Sequence, residues 1–146
     1  MAAPSPPGRP PMKQRILFVD DEPNVLSGMQ RMLRGMRGEW EMCFCESGAK
    51  ALEEMARQPF DVVVSDMRMP GMNGAELLRE TMRLYPTTVR IVLSGHAERD
   101  LVSQCVGIAH QYIAKPCDPE QLKALIQNAT LIGGNMMAEG VKRIIG

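Results

Sequence analysis

The stretch Phe60-Asp61-Val62-Val63-Val64-Ser65-Asp66 constrains the fold of this chain more than any other. An apolar, β-branched run that stops on a carboxylate has the pattern of a strand buried on both faces of a parallel sheet, with the acid at its C-terminal tip. Ligands of open α/β sheets bind along that edge, so Asp66 is a candidate functional residue rather than a surface charge. The following Arg68-Met69-Pro70-Gly71-Met72-Asn73-Gly74 reads as a loop. Two Gly, a Pro and an Asn permit tight and left-handed backbone, which lets the loop curl over whatever Asp66 holds.

The same pattern recurs along the chain. Ile16 to Val19 stops at Asp20-Asp21-Glu22 and makes the first strand; Pro23 opens a helix whose Val25, Leu26, Met29, Met32, Leu33 and Met36 recur at helical spacing until Gly38. Trp40 to Cys45 alternates as a strand near the sheet edge, with Trp40, Met42 and Phe44 opposed to Glu41, Cys43 and Cys45. Ser47 caps a second helix, from Gly48 to about Gln58, and Phe60 to Asp66 is the third strand. A third helix runs from about Gly74 to Leu84 with Leu77, Leu78, Met82 and Leu84 inward. Val89 to Ser94 is the fourth strand, followed by a helix from about Ala97 to Val106. Tyr112 to Ala114 is a short fifth strand ending at Lys115-Pro116. Asp118-Pro119-Glu120 opens a last helix with Leu122, Leu125, Ile126 and Ala129 inward. Five β–α units with short connections imply an α/β fold: a doubly wound, five-stranded parallel sheet with five helices on its two faces.

At 146 residues the chain suits one domain with tails. Residues 1–12 are Pro-rich with almost nothing to bury and read as a disordered leader; 13–130 form the domain; 131–146, glycine-broken, read as a linker or partial helix. Lys+Arg and Asp+Glu both total 17, which gives no general reason to bind nucleic acid or an anionic membrane. No segment has the pattern of a signal peptide or bilayer span, and the four cysteines form no Cys-x-x-Cys pair, so a cytoplasmic chain with reduced thiols is expected. Thirteen scattered methionines read as adaptable core filler.

In this fold Asp20, Asp21, Asp66, Ser94 and Lys115 all leave strand C-termini and converge at one edge. Three carboxylates in one cleft raise one another's proton affinity unless a cation sits among them, and hard oxygen donors favour Mg²⁺. The metal and the Lys115 ammonium would neutralise a transferring phosphoryl group, Ser94 would donate a hydrogen bond to it, and a carboxylate would serve as nucleophile.

These residues resemble the receiver domains of two-component response regulators, over Lys13 to about Ala129. The likeness rests on Asp20-Asp21, on Asp66 with its Met-Pro-Gly-Met-Asn-Gly loop, on Ser94-Gly95 and on Lys115-Pro116. It implies the flavodoxin-like (receiver) (β/α)5 fold and a signalling switch rather than an enzyme acting on external substrates. By the resemblance Asp66 is the acceptor of a phosphoryl group from a histidine kinase or phosphotransfer protein. Asp21, Asp66 and the Arg68 carbonyl are Mg²⁺ ligands, Asp20 acts through a metal-bound water, and Lys115 pairs with the phosphoryl group. Ser94 and Tyr112 match the switch pair that reshapes the face of helix four, strand five and helix five, which is expected to serve as a homodimer surface. Arg68 and His96 stand where residues tune phosphoryl lifetime, and the Lys115–Pro116 peptide resembles one that is cis in the family. The wording around Ser94, Val106 to Tyr112 and Lys115 is similar to receivers that precede HDOD or related HD-type output domains in the same chain.

Each residue also has a plainer reading. Asp20 and Asp21 alone read as caps of the first helix, and only Asp66 and Lys115 turn the balance. Tyr112 reads as core and switch together; an exposed Arg68 or His96 is ordinarily just solvated. Cys43, Cys45 and Cys105 read as packing, and Cys117, near Lys115, as an oxidisable thiol. Among rival functions, a haloacid-dehalogenase-type phosphohydrolase needs Asp-x-Asp where this chain has adjacent acids, and a cap domain for which it has no room. A flavin binder needs a Ser/Thr/Gly-rich cradle after the first strand, where acids would repel a phosphate. A phosphorylation-independent interaction module is the remaining alternative, against which the complete acid, hydroxyl and lysine set argues.

Overall fold

Alternate residues of three short runs face opposite layers, and this builds the core of the structure, a computed structural model that describes residues 13–95, 101, 103–115 and 118–129. Ile16 and Phe18, Val62 and Val64, Ile91 and Leu93 join Leu26, Met29, Leu122 and Ile126 in one layer. Leu17 and Val19, Val63 and Val92 join Ala51, Met55, Leu77 and Leu78 in the other. Burying each of the Val, Leu, Ile, Phe and Met side chains among them stabilises the fold by about 1.5–3 kcal/mol. The strands β1 (Gln14–Val19), β2 (Trp40–Cys45), β3 (Val62–Asp66), β4 (Val89–Ser94) and β5 (Gln111–Ala114) form one sheet in the order β2-β1-β3-β4-β5. All four pairings are parallel. The doubly wound sheet expected from the sequence is the sheet observed, with β2 at an edge.

The helices begin where the sequence supplies a start. The α1 helix (Pro23–Met32) opens on Pro23 without a side-chain cap. In α2 (Gly48–Arg57) the Ser47 hydroxyl accepts the Lys50 N–H at 3.1 Å. In α3 (Gly74–Leu84) Asn73 and Glu76 form a reciprocal capping box, the Asn73 side chain accepting from the Glu76 N–H and the Glu76 carboxylate from the Asn73 N–H. A C-terminal helix covers 119–129, and the Asp118 carboxylate accepts the Gln121 N–H at 3.2 Å.

Three expectations change. The first helix stops at Met32 and tightens into a 3-10 turn at Arg34–Met36 before Gly38. Glycines at 35 and 38 weaken a helix, yet Leu33 and Met36 stay buried, so the apolar spacing outlives the α-helical bonding. Leu84, expected inward, is the last residue of α3 and is 44% exposed. Among the described residues four α-helices rather than five are described in full; of the span from 97 to 106, Leu101 is helical and Ser103–Cys105 forms a 3-10 turn, where Cys105 is buried. The leader, the tail beyond 129, His96, Pro116 with its peptide bond, and Cys117 lie outside the described residues. Cys45 and Cys105 are buried and Cys43 is half-buried, all as free thiols, in keeping with packing roles.

Candidate functional site

Strand register sets the site. Val19 pairs with Ser65, which puts the residue after β1, Asp20, beside the last residue of β3, Asp66. Asp66 pairs with Leu93, and Ser94 with Ala114, so the end of β4 and the residue after β5 complete the same edge. The Lys115 N–H donates to the Ser94 carbonyl at 2.9 Å. From there the Lys115 ammonium reaches the Asp66 carboxylate as an ion pair. The structure thus brings Asp20, Asp21, Asp66, Ser94 and Lys115 to one edge, as the sequence predicts.

One oxygen from each of the Asp20, Asp21 and Asp66 carboxylates lies within 4.8 Å of the others. Asp20 and Asp66 are buried and Asp21 is half-buried. The Asp20 Oδ1 accepts the Glu22 N–H at 2.9 Å, the backbone donor just ahead of α1; its Oδ2 is buried with no hydrogen-bond partner among the described residues. Burial pushes the Asp20 carboxyl up to about 6, aided by the negative charges of Asp66 and Asp21 and opposed by the Glu22 N–H and the Lys115 ammonium. A buried acceptor left open among anionic oxygens is what a hard divalent cation satisfies, and this donor set fits Mg²⁺. Helix capping does not account for these acids, because neither side chain caps α1.

The main chain at Asp66 and Met67 is held from three sides. The Asp66 carbonyl accepts the Ser65 hydroxyl at 2.9 Å. The next residue, Met67, donates its N–H to the Leu93 carbonyl at 3.0 Å and accepts the Gly74 N–H at 2.8 Å. Gly74 touches this main chain directly. In the loop between, Gly71 takes the left-handed conformation (φ +78°) that the sequence allows, and Arg68 is exposed two residues past Asp66. The roles of Ser65 and Gly74 escape sequence reading. A serine inside an apolar strand and a glycine after an Asn cap were the available signals.

Tyr112 corrects an expectation. It does not belong to the core: it is 40% exposed, and its hydroxyl donates to the Cys105 carbonyl at 3.0 Å. β5 is an edge strand paired only with β4, so its side chains have fewer neighbours than those of β3. His110 precedes β5 and accepts the Arg90 main-chain N–H at Nδ1 over 2.9 Å.

A five-stranded parallel sheet with acids and a lysine gathered at its C-terminal edge defines an aspartate-centred receiver architecture. The description "Response regulator receiver domain" matches residues 16–127, and the chain belongs to that family. It is 34% identical over 116 residues to the hydrogenase transcriptional regulatory protein HoxA of Cupriavidus necator, covering 78% of this chain and 23% of that protein. It is 36% identical over 115 residues to the DNA-binding transcriptional regulator NtrC of Escherichia coli K12, covering 78% and 24%. The chain therefore spans about a quarter of these relatives' length. Among solved structures, the signal receiver domain of an HD domain-containing protein from Pseudomonas fluorescens Pf-5 superposes with a TM-score of 0.79 at 26% identity, covering 84% of this chain and 98% of that one. An adenylate cyclase structure from Rhodopirellula baltica gives 0.77 at 29% identity, covering 91% and 97%. No helix among the described residues is long and apolar enough to cross a membrane.

Proposed function

We propose that this receiver domain takes a phosphoryl group onto Asp66 from a histidine kinase or phosphotransfer protein and passes the event to an output domain through Ser94 and Tyr112. The observation that carries this reading is the ion pair of Lys115 with Asp66 inside the three-carboxylate cluster. An Asp66 carboxylate oxygen attacks the phosphorus, the P–N bond to the donor imidazole breaks, and the imidazole leaves with the electron pair. Lys115 then pairs with a phosphoryl oxygen instead of the bare carboxylate, and the Ser94 hydroxyl donates to another. Mg²⁺, held by Asp20, Asp21, Asp66 and the Arg68 carbonyl, would supply further neutralisation of the phosphoryl charge. The domain turns over no external substrate, and its only chemistry is its own phosphorylation and dephosphorylation.

Arg68 and His96 tune the lifetime of the phosphoryl group at the mouth of the site. The output domain is of HD type in the same chain, a reading supported by the Pseudomonas fluorescens neighbour. The exposed Val106 and Tyr112 belong to the face through which the domain pairs with a second copy. The protein works in the cytoplasm, where kinase and phosphodonor meet it. Residues 1–12 act as a leader and 131–146 as the link to the output domain.

The test is incubation with acetyl phosphate and Mg²⁺ followed by intact-mass measurement. Wild type is expected to gain one phosphoryl group, and Asp66→Asn none. Wild type without any gain would favour the phosphorylation-independent interaction module. Unchanged phosphoryl half-lives in Arg68→Ala and His96→Ala would remove those two residues from the account.

A further inference from the structure

Met67, the residue after Asp66, is fully buried, and its Sδ lies 3.7 Å from the Sγ of Cys105, which is also fully buried. Cys105 ends the 3-10 turn Ser103–Cys105. Its carbonyl accepts the N–H of Ile108 at 2.8 Å, the N–H of Ala109 at 2.9 Å and the hydroxyl of Tyr112 at 3.0 Å. A carbonyl oxygen has two lone pairs, so three donors over-subscribe it. Of the three, only Tyr112 is a side chain with access to water as an alternative partner, and it is the donor most easily released. The turn that holds Tyr112 is itself fastened by a thiol–thioether contact to the residue next to Asp66. Burial raises the Cys105 thiol, so it remains protonated and able to donate through the neutral range.

We propose that Cys105 is a positioning residue that couples the Asp66 end of β3 to Tyr112, its thiol anchoring the turn on Met67 and its carbonyl setting how firmly the tyrosine hydroxyl is held. This rests on the reading of Asp66 as phosphoryl acceptor. A displacement of the chain at Asp66 and Met67 moves the turn through the sulfur contact and changes the geometry at the over-subscribed carbonyl. Coupling of this kind is reciprocal: freeing Tyr112 also alters the equilibrium at Asp66.

The experiment uses the chain labelled with 3-fluorotyrosine, whose two tyrosines, Tyr85 and Tyr112, are distinguished by a Tyr112→Phe variant. Fluorine NMR spectra are recorded with Mg²⁺, before and after beryllofluoride, whose own bound fluorine signals report occupancy of Asp66. In wild type the Tyr112 signal should move on beryllofluoride binding. In Cys105→Ala that movement should fall by at least about half at equal occupancy, Cys105→Ser should recover most of it, and Tyr85 should stay put. Met67→Leu, which removes the sulfur acceptor at nearly constant volume, should reproduce the loss and serves if Cys105→Ala fails to fold. Beryllofluoride bound in all variants with equal Tyr112 movement overturns the coupling, even where thermal stability drops. Bound beryllofluoride with no Tyr112 movement in wild type overturns it as well. No bound beryllofluoride in wild type overturns the acceptor reading itself, and the coupling with it.

Discussion

Gly74 packs against the main chain of Asp66. A Cβ at Gly74 would stand 3.0 Å from the Met67 Cα and closer still to the Asp66 carbonyl oxygen, so the first turn of α3 comes this near only because glycine has no side chain. Gly71 is a glycine for another reason. Its φ is +78° and the space beside it is open.

The two glycines should therefore respond differently to alanine. Gly74→Ala is expected to cost about 2–3 kcal/mol through overpacking against backbone, and Gly71→Ala about 1 kcal/mol through the left-handed conformation alone. Urea unfolding measures both, and equal losses would mean that α3 can step back from Asp66 at little cost.

The acid cluster should be a liability until a cation arrives. Asp20 is buried beside Asp66 and Asp21, with Oδ2 lacking a hydrogen-bond partner among the described residues. Asp20→Asn should raise the melting temperature in chelator by a few degrees and lower the stabilisation that added Mg²⁺ gives. Thermal melts across an Mg²⁺ titration test this. A variant less stable than wild type in chelator, or one stabilised equally by Mg²⁺, would contradict it.

His110 supplies a pH dependence of opposite sense to that of Asp20. Burial and the Arg90 guanidinium push its imidazole from 6.5 down to about 4. The unfolded chain takes up this proton near pH 6.5 and the folded chain resists to about 4, so the contribution to stability is complete above pH 6.5 and is lost as the pH falls through about 4. In His110→Asn the amide oxygen still accepts from the Arg90 N–H but no longer titrates. Wild type should lose stability relative to this variant as the pH falls from 6.5 towards 4, while the two keep a fixed difference above neutrality. Chemical unfolding at a series of pH values gives that difference directly, with the Asp20 contribution common to both proteins. A difference independent of pH would show that His110 titrates in the folded chain as it does in the unfolded one.

Strands were the legible part of this chain. Val62 to Asp66 announces itself because a strand covered on both faces tolerates little besides apolar residues, and the change to a carboxylate marks its C-terminal tip. Trp40–Cys45, Gly74–Leu84 and Val89–Ser94 begin and end where turn residues and periodicity put them. The meeting of Asp20, Asp21, Asp66 and Lys115 follows from parallel topology alone. What stayed hidden depends on contacts between distant residues. Tyr112 looks like a core residue in its short strand, yet it stands exposed beside the buried Ile113 of the same edge strand. The sulfur contact of Met67 with Cys105 spans 38 residues, and no local pattern reports it. Likewise Gly74 reads only as the junction of loop and helix until the carbonyl it touches is known.

Lys115 is carried on the last rung of the sheet's shortest strand: its N–H closes on the Ser94 carbonyl one residue beyond β5, which has four residues and a single neighbour. Peeling this border strand and withdrawing the ammonium from Asp66 are thus one motion. A partner that clamps the outer border would keep the cation at its post without touching an acid, and one that pries the border open would disarm the aspartate from a distance.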